Sequence, residues 1–311
     1  MEEFRHYTVM KKEAVDLLEC RDGLIYVDCT LGGGGHSEEI LKRIQPNGRL
    51  IAFDVDGEAI SAASRRLKDY KNLTIVKNSY TNIKKVLHDL GVEKITGGAL
   101  FDLGASYHQF SKAQRGFSFQ KDAPLDMRFN QDDDFCAADV VNNYCENDLI
   151  RIFSEYGEER FSKRIAKKIV EARKVKKIDT TCELADLTVR CTPKVKSSVH
   201  PATRVFQAIR IEVNQELTNV KNTMNDVLDL LEVGAIISVI SFHSLEDRIV
   251  KRLFKYHSSK CRCNNPVCEC EPPVLEPVTR KPVTASEEER LENPPSRSAK
   301  LRAARKTGRR C

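Results

Sequence analysis

The stretch that most constrains the fold is Leu24-Ile-Tyr-Val-Asp28, followed by Cys29-Thr-Leu-Gly-Gly-Gly-Gly-His36 and Ser37-Glu-Glu-Ile-Leu41. An apolar run, four glycines and a helix-forming run read as strand, tight turn and helix. Glycine permits positive φ and lets other groups approach the main chain closely. The first helical turn leaves backbone N–H groups without helical partners. Such a loop suits a nucleotide-like ligand; the plain alternative is a glycine-rich turn that binds nothing.

Spacing sorts the possible ligands. A dinucleotide loop wants G-x-G-x-x-G, but Gly32 and Gly34 are followed by Gly35, His36 and Ser37, so the third glycine is missing. No Gly-Lys-Ser/Thr follows, which excludes a Walker loop. The next apolar run, Arg49-Leu-Ile-Ala-Phe-Asp54, ends in a carboxylate about 20 residues past Gly34, where an acid bonds ribose hydroxyls. A glycine turn plus a ribose acid, without a pyrophosphate site, suits S-adenosylmethionine. Further apolar runs at Leu73-Thr-Ile-Val76 and Ala99-Leu-Phe-Asp102 alternate with helical stretches from Glu58 to Leu67 and Ile83 to Leu90. This alternation predicts right-handed βαβ units in a doubly wound α/β sheet. Asp28, Asp54, Tyr80 and Asp102 then fall at or just after strand ends, where ligands sit in such sheets.

Beyond Asp102 the alternation stops. Residues 110–199 give helical stretches, among them an amphipathic one from Glu159 to Lys174 with Phe161, Ile165 and Ile169 on one side. Strand-like sequence resumes at Gly234-Ala-Ile-Ile-Ser-Val-Ile-Ser-Phe242, after a helix from Ala202 to Leu231 broken once. The expected organisation is a first part at 1–109, an inserted helical domain at 110–199, and a second part at 200–311 that carries a Cys-rich loop at 261–270 and a basic tail. The net charge of +6 is modest, but the basic residues cluster. Lys163, Lys167, Lys174, Arg204 and Arg210 are candidate phosphate contacts, with solvated helix faces as the alternative. Phe117, Phe119 and Phe129 are candidates to stack an unpaired base, or else core.

The chain has eleven cysteines, an odd count, and most are scattered without a disulfide-like pattern. No leader is read in Met1-Glu-Glu-Phe-Arg5, and the longest apolar run, Ala235 to Ile240, is too short to span a membrane. A soluble protein of the reducing cytoplasm is expected. Cys261, Cys263, Cys268 and Cys270 lie close enough in sequence to close a tetrahedral zinc site, with free or redox-active thiols as the alternative.

A set of long motifs runs through nearly the whole chain: Asp28 to His36, Phe101-Asp-Leu-Gly104, Arg115-Gly-Phe-Ser-Phe119, Pro124-Leu-Asp-Met-Arg128, Tyr156-Gly-Glu-Glu-Arg-Phe161, His200-Pro-Ala-Thr-Arg-Val-Phe-Gln207 and Ser241-Phe-His-Ser-Leu-Glu-Asp-Arg248. In that order they resemble the ribosomal RNA small subunit methyltransferase H family. The resemblance implies a class I, Rossmann-like methyltransferase fold with an inserted helical domain. It implies S-adenosylmethionine-dependent methylation of the exocyclic N4 of a cytidine in the decoding region of bacterial 16S rRNA, with an assembled 30S particle as substrate, and a homodimer. Carried over by position, the family's cofactor contacts fall on Gly34, Gly35, His36, Asp54, Tyr80, Asp102 and Gln109. Where the family reads Val-Ser-Ser-Pro-Gln, this chain has Ala105-Ser-Tyr-His-Gln109, which alters the loop while retaining the glutamine.

Cytosine N4 is conjugated with its ring and weakly nucleophilic, so a carboxylate, carbonyl or neutral imidazole is needed to draw on its N–H bonds. Asp126 and His243 are the candidates; ion pairing for the first and an orienting role for the second are the alternatives. Two other readings use the same features: an NAD-dependent oxidoreductase, disfavoured by the missing glycine, and an RNA-binding ribosome-assembly factor that does not turn over.

Overall fold

The computed structural model describes residues 8–193, 200–259 and 273–308, so Cys261, Cys263, Cys268 and Cys270 lie outside the described residues. The chain separates into two compact units: Met1–Gly104 with Leu217–Cys311, and Ala105–Glu216. The second is wider at both ends than the helical stretch at 110–199.

The first unit is built on a seven-stranded sheet of order β3-β2-β1-β4-β5-β7-β6. Its strands are β1 (Ile25–Asp28), β2 (Arg49–Asp54), β3 (Leu73–Lys77), β4 (Gly98–Asp102), β5 (Ile236–Ser241), β6 (Leu275–Pro277) and β7 (Lys300–Lys306). The first five are parallel, whereas β7 runs antiparallel between β5 and β6. The doubly wound α/β class expected from the alternation is therefore present. Chain order reverses between β1 and β4, which makes their carboxyl ends the switch point.

Strand side chains alternate in direction, and here both faces are covered. Val27, Ile51, Phe53, Ala99, Phe101, Ile237 and Val239 pack on one side with Ile83, Leu87, Met224, Val227 and Phe254. Tyr26, Leu50, Ala52, Leu100, Ile236 and Ile240 pack on the other with Val15, Leu18, Ile40, Leu41 and Leu67. This two-sided burial explains why the strands read as continuous apolar runs. Ser238, fully buried in β5, donates its hydroxyl to Ala14 O at 3.2 Å.

The second unit packs helices Ala137–Asn143, Glu146–Glu155, Ser162–Arg173, Thr181–Cys191 and Ala202–Val213 around Leu149, Ile152, Phe153, Ile165, Ile169, Val205 and Ile209. The anticipated break in the long helix falls at Asn214-Gln215. Asn214 accepts from Phe129 N–H at 2.7 Å and donates to Met127 O at 2.8 Å, and Gln215 takes φ 48°. Tying Asn214 to that loop ends one helix before Glu216–Leu230 begins. Among the described residues no helix is long and apolar enough to cross a membrane.

Candidate functional site

The site begins where β1 ends. Asp28 is fully buried and bridges both ends of the glycine loop: one carboxyl oxygen accepts from Thr30 N–H at 3.1 Å, the other from Ser37 Oγ at 2.7 Å. Burial pushes its pKa up to about 6 against the lowering effect of these bonds. Gly32 and Gly34 take φ 50° and 77°. A Cβ on Gly34 would meet Leu67 Cδ1 at 3.0 Å, and one on Gly35 would lie 2.8 Å from Thr8 Cβ. The glycines are thus demanded by the protein's own packing as well as by any ligand.

Asp54, at the end of β2, holds the loop from the other side. Its carboxylate accepts from Gly32 N–H at 2.8 Å and from Asp56 N–H at 2.9 Å. Burial raises its pKa to about 6; the backbone bonds oppose the rise and the charge of Asp56 adds to it. Asp54 is thereby aimed, with both oxygens oriented by main chain rather than by a flexible partner.

Asp102, at the end of β4, is joined to the same loop. Its N–H donates to Thr30 Oγ1 at 2.7 Å, and its Oδ2 lies 3.6 Å from His36 Nδ1. The other ring nitrogen, Nε2, is 3.1 Å from Val9 O. A carbonyl only accepts, so Nε2 carries a proton, and the ring turns its Nδ1 to Asp102. Burial, then the charges of Asp28, Glu246 and Glu289, raise the Asp102 carboxyl well above its ordinary value. Its Oδ1 is buried without a hydrogen-bond partner, which leaves an acceptor in want of a donor. Tyr80 sits in the turn after β3 with its ring edge-on to Phe101 at 5.8 Å.

Asp28, Asp54, Asp102 and His36 therefore form one network at the switch point, knitted by Thr30, Gly32 and Ser37. The long motifs resemble one family, and the family comparison agrees: the MraW methylase family model matches residues 3–307. The chain belongs to the MraW methylase family. It is similar to ribosomal RNA small subunit methyltransferase H of Clostridium botulinum (strain Loch Maree / Type A3), at 48% identity over 308 residues, covering 98% of this chain and 99% of that one. The protein of the same name from Clostridioides difficile (strain 630) is 48% identical over 310 residues, with 98% and 99% coverage. That from Caldicellulosiruptor bescii is 50% identical over 306 residues, with 97% and 99% coverage. The parallel sheet with its antiparallel seventh strand is the class I methyltransferase architecture.

The remaining candidates of this methylase have local partners. Gln109 closes a capping box: its Oε1 accepts from Ser106 N–H at 3.0 Å, and its own N–H donates to Ser106 Oγ at 3.2 Å. Asp126 is paired with Arg128 through two side-chain bonds, at 3.0 and 2.7 Å, and accepts from Arg128 N–H at 2.9 Å. Burial alone would raise this carboxyl, but the bonds and charge of Arg128, then the charge of Arg115, hold it below the usual carboxylate range. That makes Asp126 a weak base. His243 caps the helix Ser244–Ser258: Nδ1 faces Glu246 N–H at 3.5 Å and Nε2 faces Glu246 Oε1 at 3.2 Å. Nδ1 is thus taken up by the cap, while Nε2, although close to Glu246 Oε1, is buried without a hydrogen-bond partner.

Of the basic candidates, Lys163, Lys167, Lys174 and Arg204 are exposed. Arg210 instead forms a bidentate pair with the buried Glu216, at 2.8 and 3.0 Å, which gives it a structural task. Phe117 stacks on Phe129 at 5.7 Å, and Phe119 on His200 at 4.6 Å, with the three phenylalanines against the helical core. Sequence reasoning missed Thr30, Gly32 and Ser37 as loop ties, and Glu246 and Glu289 as the charges acting on Asp102. For Glu246 the Ser-Phe-His-Ser-Leu-Glu motif was the available signal; Glu289, in a run of acids, offered none.

Proposed function

We propose that this chain transfers a methyl group from S-adenosylmethionine to N4 of a cytidine in the decoding region of bacterial 16S rRNA, in the cytoplasm, on an assembled 30S particle and as a homodimer. The observation that carries the reading is the switch-point network, with a buried, unpartnered Asp102 acceptor beside a positive-φ glycine loop, in a chain of this family. The cofactor residues are assigned as Gly34, Gly35, His36, Asp54, Tyr80, Asp102 and Gln109. The donor set suits the ligand: Asp54 accepts from ribose hydroxyls, Asp102 Oδ1 accepts from an amine such as that of adenine, and the glycine backbone approaches the methionyl end.

When bound, the cofactor supplies an electrophilic methyl group on a sulfonium. The chain's own residues align and desolvate the partners. Asp54, fixed by two backbone N–H groups, sets the ribose and so the direction of the sulfur. His36, fixed by Val9 O, holds Asp102 in place. The carboxylates around the pocket favour a cationic ligand over its neutral demethylated product, which aids release.

The test is methylation of small-subunit particles and of naked rRNA by purified protein with tritiated S-adenosylmethionine. Label in a single cytidine, released as N4-methylcytidine, is expected, with particles preferred over naked rRNA. Particle binding without label would assign the chain to non-catalytic assembly.

A further inference from the structure

The helix Ser244–Ser258 follows β5 and packs Leu245, Val250, Leu253 and Phe254 inward. Both of its acids are also turned inward. Glu246 receives Phe242 N–H at 2.8 Å, and Asp247 pairs with Arg302 at 2.7 Å and Lys300 at 3.3 Å. The residues left exposed are Ser244, Arg248, Lys251, Arg252, Lys255 and Tyr256. The outward face therefore carries four cations, an aromatic ring and no acid.

Elsewhere in this unit some helix cations are paired, while others, such as Lys12, Lys85 and Lys221, stand exposed without an ion pair among the described residues and do not build a shared face of four. Lys42 pairs with Glu38, Arg43 with Glu39, and Lys84 with Asp226. Lys251, Arg252 and Lys255 form no ion pair among the described residues. Arg248 over Arg252, and Lys251 over Lys255, stand one turn apart, about 6 Å along the axis. Like charges at that spacing cost an isolated helix a few tenths of a kcal/mol each, roughly 0.2–0.5. Local helix stability therefore does not account for the pattern.

We infer that the outer face of helix 244–258 is a docking surface for the phosphate backbone of the substrate RNA. The inference rests on the rRNA reading above. Regularly spaced Arg forks and Lys point charges complement a polyanion with repeating charges, and fix its register without reading sequence. Tyr256, 56% exposed at the end of the stripe, adds a face on which a base can stack. An acidic protein segment would meet the charges but has no matching use for that ring.

The test uses the full chain and a small-subunit rRNA fragment containing the decoding region, with affinity measured against KCl concentration for wild type and for K251A/R252A/K255A. Three lost contacts should flatten the slope of log K against log salt by about 2, at roughly 0.7 per contact for single strands. S-adenosylmethionine affinity and melting temperature should stay at wild-type values. A wild type that binds with steep salt dependence and a triple variant with the same slope would overturn the surface alone. A wild type that binds no rRNA would remove the rRNA reading beneath it. Competition by polyglutamate as effective as by polyuridylate would overturn the assignment in favour of an acidic protein partner.

Discussion

Replacing Asp28 by Asn should stabilise the free protein at neutral pH. The Asp28 carboxyl is fully buried, its pKa rises from an ordinary 3.8 to about 6 on folding, and no cation offsets it. A rise of about two pKa units weakens the folded state at pH 7 by roughly 3 kcal/mol, at 1.36 kcal/mol per unit. The sign follows from proton counting. Between 3.8 and 6 the folded chain binds the proton more readily than the unfolded chain, so the penalty is complete above pH 6 and vanishes below about pH 4. Asn is nearly isosteric: its oxygen still accepts from Thr30 N–H, and its amide donates to Ser37 Oγ once that hydroxyl rotates. Urea denaturation of wild type and D28N at pH 8, 7, 6, 5 and 4 reads the difference. The variant should gain up to about 3 kcal/mol at pH 7 and 8, with the gain shrinking from pH 6 to pH 4. A variant less stable at pH 8, or a difference that does not change with pH, would refute the account of Asp28 as an uncompensated buried charge.

Asp102→Asn should keep S-adenosylmethionine affinity within about threefold in titration calorimetry at pH 7, because the amide keeps an acceptor in place of Oδ1 while burial and neighbouring acids disfavour the carboxyl's charge. Asp102→Ala, which removes the Oδ1 acceptor, should lose about tenfold or more; a larger loss in the Asn variant than in the Ala variant would contradict this. Asp247→Asn strands the largely buried Arg302 and should cost roughly 3 kcal/mol in denaturation. Burial would raise the Asp247 carboxyl, but Arg302 and then Lys300 hold it low, so its contribution is present above pH 4 and fades as pH falls further. Gly98→Ala would drive a methyl group to 3.1 Å from Leu18 Cδ2 and against the carbonyl of Ile236. Separating β4 from β5 should cost about 2 kcal/mol, read as a lowered melting temperature.

Much of the site was legible because it is local. The glycine loop, Asp54 and Asp102 are tied to strand ends, and strand ends are visible wherever an apolar run meets a turn. That the long helix breaks once was anticipated, but its place was not: the bonds of Asn214 to Phe129 and Met127 set it. The roles of Asp126, His243 and Arg210 were less so, because whether a side chain is free or paired depends on what folds against it. Asp126 and Arg128, two residues apart, could have been read either way until the side-chain bonds between them were placed.

The sequence by itself determined the α/β alternation, the glycine loop and the family, since these reside in short-range pattern and in motif identity. Only the tertiary structure decided that β7 enters antiparallel between β5 and β6, that Asp247 meets Arg302 across 55 positions, and that Asp102 feels the charges of Asp28, Glu246 and Glu289. The physical reason is common to all three. Strand pairing and the electrostatics of a buried carboxyl are set by neighbours brought together through burial of apolar faces, and local periodicity carries no record of which distant residues those neighbours are.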